Sequence, residues 1–101
     1  MDEQDRPRSG GRLARHPVAL SARFDAERRQ IVIQLSGGVE LAFDPSRAEG
    51  LEHASDSELS SIQISPSGQG LHWPKLDADL FLPALLEGKL GSPRWLEARN
   101  A

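Results

Sequence analysis

The sequence predicts an α+β fold: one domain with a mostly antiparallel sheet of about five strands and one or two short helices. Three observations predict it. Apolar residues recur with period two in several short runs, the signature of strands with one buried face. Clusters of Gly, Pro, Ser and Asp separate these runs by only a few positions, as hairpins require. Helical spacing is confined to brief stretches late in the chain, so helices do not alternate with strands as they do in a parallel sheet.

The first strand begins after Pro17. Val18, Leu20, Ala22 and Phe24 alternate with Ala19, Ser21, Arg23 and Asp25, which places the first set on the inner face. The polar stretch Asp25–Arg29 makes a turn. Ile31, Ile33 and Leu35 form a second, β-branched run. Gly37-Gly38 then joins it to Val39, Leu41 and Phe43, because tight hairpin turns need positive φ. Asp44-Pro45-Ser46 ends this third strand, since proline has no N–H to give a ladder. Ser55 and Glu58 have capping-box spacing, which predicts a helix over about residues 56–60 with Leu51 and Leu59 as its anchors. Ile62 and Ile64 start a fourth strand, and Leu71 and Trp73 a fifth, antiparallel to it across the loop Ser65–Gly70. Pro74 breaks the fifth strand. Residues 81–88 read as a short helix with Pro83 in its first turn, Gly88 as its left-handed stop, and Leu82, Leu85 and Leu86 on one face. Ser92-Pro93 opens one last turn that carries Trp95 and Leu96.

Composition narrows the function classes. A chain of 101 residues with 38% hydrophobic content suits one small domain with a modest core. There is no cysteine, so disulfides, thiolate nucleophiles and cysteine zinc sites are excluded, and a reducing cytoplasmic location is expected. No apolar run approaches the roughly 18 residues of a membrane span, and the charged N-terminus is followed by no apolar stretch of a secretory signal. Residues 1–16 read as a flexible, arginine-rich tail, and residues 17–101 as the domain. Residues 1–29 hold seven arginines against five acids, +2, while residues 30–101 hold five basic residues against ten acids, −5. An acidic body repels nucleic acid, so contact with it is expected only through the arm, at Arg6, Arg8, Arg12 and Arg15.

Four stretches together resemble a known family. Ile62-Gln63-Ile64, Gly70-Leu71-His72-Trp73-Pro74, Leu76-Asp77-Ala78-Asp79-Leu80 and Leu85-Leu86-Glu87-Gly88, with Gly38–Asp44 upstream, look like the signature of the bacterial domain-of-unknown-function family 2442 over about residues 17–91. The resemblance implies a small α+β domain, often encoded beside another small protein, for which a toxin–antitoxin role has been suggested. It brings no catalytic residues. One departure is Phe81, which stands where a small polar residue often opens the last helix.

The stretch GLHWPKLDADL, residues 70–80, holds the main site candidates: Trp73, Pro74, Asp77 and Asp79. In an extended segment, residues two apart share a side, so Asp77 and Asp79 form either a partner contact or a structural corner whose carboxylates take backbone N–H groups. A cation site there needs further oxygen ligands, and no spacing brings Glu40, Asp44 or Glu87 to it. Trp73 reads as core, with its indole N–H bonded. His16, His53 and His72 lack metal-site spacing, and no serine lies in a Gly-x-Ser-x-Gly elbow. No cofactor is expected and the chain does not read as an enzyme. The expectation is an interaction or regulatory protein, antitoxin-like in binding a small partner protein, through the Asp77/Asp79 face, an open sheet edge or Trp95; a homodimer is equally open. Nucleic-acid binding through the arm is the alternative, and a metal-dependent hydrolase at Asp77 and Asp79 the third.

Overall fold

The chain is described from residue 17 to residue 100 in a computed structural model. It opens with β1 (Ala19–Asp25), which reverses at residues 26–29 and returns as β2 (Gln30–Leu35). Asp25 holds the reversal, its Oδ1 accepting the N–H groups of Glu27 and Arg28 at 3.1 and 3.2 Å. Gly37 and Gly38 then turn the chain at φ of 87° and 83°, and β3 (Glu40–Phe43) completes a sheet of order β1-β2-β3. Ile31 lies opposite Phe43 and Ile33 opposite Leu41, so one face of this sheet carries the apolar set.

The inner face of β1 differs from the expected one. Ala19 pairs with Leu35 and Ser21 with Gln34, so Leu20 is an extra residue in a β-bulge. The bulge shifts the alternation by one place. Ala19 enters the core beside Ala22 and Phe24, while Leu20 stands 63% exposed. Simple alternation had placed Leu20 inside.

A second sheet holds β4 (Gln63–Ile64), β5 (Gly70–Trp73) and β6 (Ala78–Phe81), all antiparallel in that order. There are thus six strands where the sequence suggested about five. The chain after Trp73 does not run from strand to helix. It turns through residues 74–77 and pairs back on β5, with His72 opposite Asp79 and Leu71 opposite Leu80. The two sheets meet where Ala19 N–H donates to the Gly68 carbonyl at 2.8 Å. Beside that bond Ser36 N–H donates to the Val18 carbonyl at 2.9 Å.

Three α-helices, with a 3-10 turn at Pro45–Arg47, close the core among the described residues. α1 (Asp56–Ser60) begins at a complete capping box: Ser55 Oγ accepts from Glu58 N–H, and Glu58 Oε1 from Ser55 N–H. α2 (Leu82–Leu86) follows β6 directly, with Pro83 in its first turn. Leu82 and Leu85 face the core, but Leu86 is 42% exposed, outside the apolar stripe the spacing predicted. α3 (Pro93–Asn100) is longer than the single turn expected and is capped where Ser92 Oγ accepts from Trp95 N–H. Trp73 sits at the centre with no exposed surface, packed with Ile31, Ile33, Leu59, Leu71 and Leu82. No helix among the described residues is long and apolar enough to cross a membrane.

Candidate functional site

The four site candidates of residues 70–80 separate in space. Trp73 belongs to the core, and its indole N–H donates to the Leu59 carbonyl at 3.2 Å. Its side chain has no exposed surface in the folded chain. Pro74 is exposed in the turn between β5 and β6. Asp77 occupies that turn at φ 51°, a left-handed conformation that aspartate tolerates better than most residues. Asp79 lies on β6. The two aspartates therefore do not share one extended segment, and the strand-to-helix corner read from the sequence is a hairpin turn followed by a strand.

Asp79 takes a side-chain partner in place of the expected backbone N–H groups. His72 Nδ1 and Asp79 Oδ1 are 2.8 Å apart. The ladder explains why. Leu82 N–H donates to the Gln69 carbonyl, and Ser65 N–H to the Gly70 carbonyl. Hydrogen-bonded pairs alternate along an antiparallel ladder, so Leu71/Leu80 and Trp73/Ala78 exchange the bonds, while His72/Asp79 and Gly70/Phe81 are the close, non-bonded pairs. Side chains meet most closely at such pairs. The Asp79 side chain is 75% exposed, so the contact itself adds little stability.

The same alternation defines an edge. The N–H and C=O groups of Asp79 and Phe81 point away from β5, and no strand among the described residues lies beyond β6. Phe81 is 58% exposed there. A cleft of about 330 Å³ runs along this edge, between Asp79–Phe81 on one side and Lys89, Gly91, Ser92 and Pro93 on the other, with Glu49 and Ala84 in its walls. A second cleft of about 250 Å³ lies on the outer face of the sheet, lined by Ser65, Gly70, His72, Asp79 and Phe81. Both are lined more by apolar than by polar surface. Phe81 is the residue that sequence reasoning missed. Its signal was the alternation of Ala78 and Leu80 with Asp79 and Phe81, which marks a strand whose outward residue is aromatic.

Other candidates are accounted for by local structure. Trp95, expected as a contact anchor, is half-buried: its indole N–H donates to Glu52 Oε2 at 3.1 Å, and the Arg99 guanidinium stacks 4.9 Å from its ring. A polar cleft of about 300 Å³ between Arg28, Arg29, Asp44 and Glu52 has mixed charge, and Arg29 is paired with Asp56 at 2.9 Å. Ser46, through its hydroxyl and then its N–H, holds the Asp44 carboxyl below its ordinary value. No cluster of three metal-ligating side chains forms among the described residues. Arg6, Arg8, Arg12 and Arg15 lie outside the described residues.

The Glu52–Trp95 contact carries a pH prediction. Partial burial raises the Glu52 carboxyl, but its own N–H, that of Gly50 and the Trp95 indole outweigh burial and leave it below the ordinary glutamate value. A folded value lower than the unfolded one adds stability above the unfolded value and loses it as pH falls through the folded one. Helix α3 is therefore expected to loosen at acid pH, starting just below the ordinary glutamate range. Amide exchange of residues 95–99 should accelerate there. In Glu52→Gln the same amides should show no such step.

A small α+β domain with an open strand edge at β6 and no buried polar side chain among its described residues is the class of protein that this fold and site define. The chain belongs to the family described as Protein of unknown function (DUF2442), which it matches over residues 19–91. Two solved structures share the fold. A protein of unknown function from Rhodospirillum rubrum is 42% identical, with a TM-score of 0.75 over 79% of this chain and 96% of that one. An uncharacterised protein from Chromobacterium violaceum is 34% identical, with a TM-score of 0.75 over 81% of this chain and 75% of its own. No curated protein matches.

Proposed function

We propose that the chain is a protein-interaction domain that receives an extended segment of a small partner protein along the free edge of β6, antitoxin-like in restraining that partner. The observation that supports this reading most is the combination of outward backbone groups at Asp79 and Phe81 with an exposed aromatic ring between two apolar clefts. Strand addition draws affinity from main-chain bonds and specificity from pockets for alternate side chains, and the β6 edge offers both. An aromatic residue at the centre of such a surface is the usual energetic anchor. Self-pairing of two β6 edges is less favourable, because centring on Leu80 sets Phe81 against the partner copy's charged Asp79.

The test is affinity capture from the native cell extract after nuclease treatment, followed by mass spectrometry. The unchanged chain is expected to retain a stoichiometric small protein. Phe81→Asp should lose it, with a cost of about 2 kcal/mol or more in affinity. Asp79→Pro should also lose it, because it removes an outward N–H and leaves the bonds to β5 intact. Both substitutions fall on exposed positions, so thermal melts should move little. A partner retained by both variants would sink this reading. Recovery of nucleic acid alone, with binding that falls steeply in salt, would favour the arginine arm.

A further inference from the structure

We propose that the partner segment received at the β6 edge is basic: it runs antiparallel to β6, sets a lysine or arginine against Asp79, and carries an aromatic or β-branched residue two positions earlier, against Phe81. The inference rests on the reading of this edge as a site for extended chain and adds the chemistry of the occupant. Register is the first step. Residues opposite one another in a ladder stand on the same face, and the face alternates along each strand. Ala78 and Leu80 are buried, whereas Asp79 and Phe81 look outward. The N–H and C=O groups of Asp79 and Phe81 also point to the edge. The two residues that exchange bonds with them therefore bring their side chains beside Asp79 and Phe81. The residue between shares the face of Leu80. Antiparallel addition continues the pattern of this sheet and is the more stable pairing per residue. In that direction the neighbour of Phe81 comes first and the neighbour of Asp79 third.

Charge sets the third position. Asp79 and Glu49 line the edge cleft with one lysine, Lys89. Lys89 Nζ lies 3.0 Å from Glu87 Oε1, outside the cleft lining, so its charge is already answered. Glu49 is held in the wall, its Oε1 accepting from Ser92 N–H at 2.8 Å. Asp79 is the acid on the strand itself. Its Oδ1 meets His72, and a side chain so exposed has room for a second, charged donor. The wider field points the same way, because residues 17–101 hold eight basic residues against twelve acids, −4. An acidic residue in the third position would face like charge, which destabilises a cross-strand pair. Phe81 sets the first position. Aromatic rings pair across strands with aromatic and β-branched side chains, and the exposed Phe81 ring has area to cover.

A display library of random seven-residue segments, panned against the full-length protein, tests this. Enriched segments are expected to hold Lys or Arg two positions after an aromatic or β-branched residue. Position 79 is exposed, so Asp79→Lys should fold normally, and panning against it should exchange the basic residue for Asp or Glu. A synthetic copy of a segment enriched on the unchanged chain should bind Asp79→Lys about fivefold more weakly or worse. In its complex with the unchanged chain, amide exchange at Asp79 and Phe81 should slow by about tenfold or more, while Leu80, already bonded to β5, should change little. Enriched segments without the basic position overturn the proposal. So do segments that keep it against Asp79→Lys, segments with the basic residue before the aromatic one, protection confined to other strands, and a library that enriches nothing. The capture experiment separates this from the underlying reading. A natural partner lost with Phe81→Asp but retained by Asp79→Lys keeps the edge as the site and removes only the basic segment.

Discussion

Replacing Trp73 with alanine is expected to cost about 3–5 kcal/mol, a large part of the roughly 5–15 kcal/mol that holds a domain folded. Trp73 is the largest fully buried side chain, and it lies in one core cluster with residues of both sheets, among them Ile31, Ile33 and Leu71. Truncation opens a cavity that α1 and the sheets can fill only by moving. It also strands the Leu59 carbonyl, which accepts the indole N–H at 3.2 Å from the helix above. Trp73→Phe should lose less, because the ring remains and only the second ring and the N–H are gone. Urea unfolding checks the order: the midpoint should fall strongly for alanine and modestly for phenylalanine, with unchanged slope. Equal losses for the two would show that the hydrogen bond, not the volume, dominates. A loss under about 1 kcal/mol for alanine would remove Trp73 from the centre of the core.

The success of Trp73 as a sequence reading has a physical basis that also explains the failures. Burial on a strand leaves a period-two trace, and the runs at Ile31–Leu35, Leu41–Phe43 and Leu71–Trp73 carry it clearly. The Gly37-Gly38 turn is equally direct, because backbone sterics alone demand it. The capping box at Ser55 and Glu58 is a local bond pattern and was legible for the same reason. Leu20 was misplaced because a bulge is a property of the pair, not of one strand. β6 was hidden because its inner residues are a small Ala78 and Leu80, while its outer position holds Phe81. An aromatic residue facing out reverses the expected pattern, and Leu82 following at once merges strand into helix.

The site was half legible on the same grounds. Residues 70–80 were singled out, but the pairing of His72 with Asp79 depends on which cross-strand pairs are non-bonded, and this follows only from the ladder. The outward backbone groups of β6 leave no trace in residue type at all. What the sequence offered in advance was the oddity of Phe81, an apolar residue where the family resemblance suggested a small polar one. Its exposed position now ties that oddity to the edge. A surface aromatic beside unbonded backbone groups favours association.

Gly68→Ala is the second substitution expected to be severe, at about 2–5 kcal/mol. Two costs add. Gly68 has φ of +76°, where a Cβ crowds its own backbone by about 1–2 kcal/mol. The new methyl would also lie 2.7 Å from the Val18 Cβ, and overpacking of this kind costs about 1–3 kcal/mol. Val18 cannot retreat freely: its carbonyl accepts from Ser36 N–H, its own N–H donates to Ser36 Oγ at 3.0 Å, and the next residue donates to Gly68 itself. The last of these bonds, from Ala19 N–H to the Gly68 carbonyl, joins the two sheets. Gly37→Ala is the matched control, because its φ is +87° but an added Cβ meets nothing within 4 Å. It should lose only the backbone cost. Urea unfolding should therefore rank Gly68→Ala well below Gly37→Ala, and amide exchange at Ala19 and Ser36 should quicken in the first variant alone. Equal costs would mean that this junction yields without resistance, and that the two sheets are joined by the core around Trp73 and not by this strand-to-loop contact.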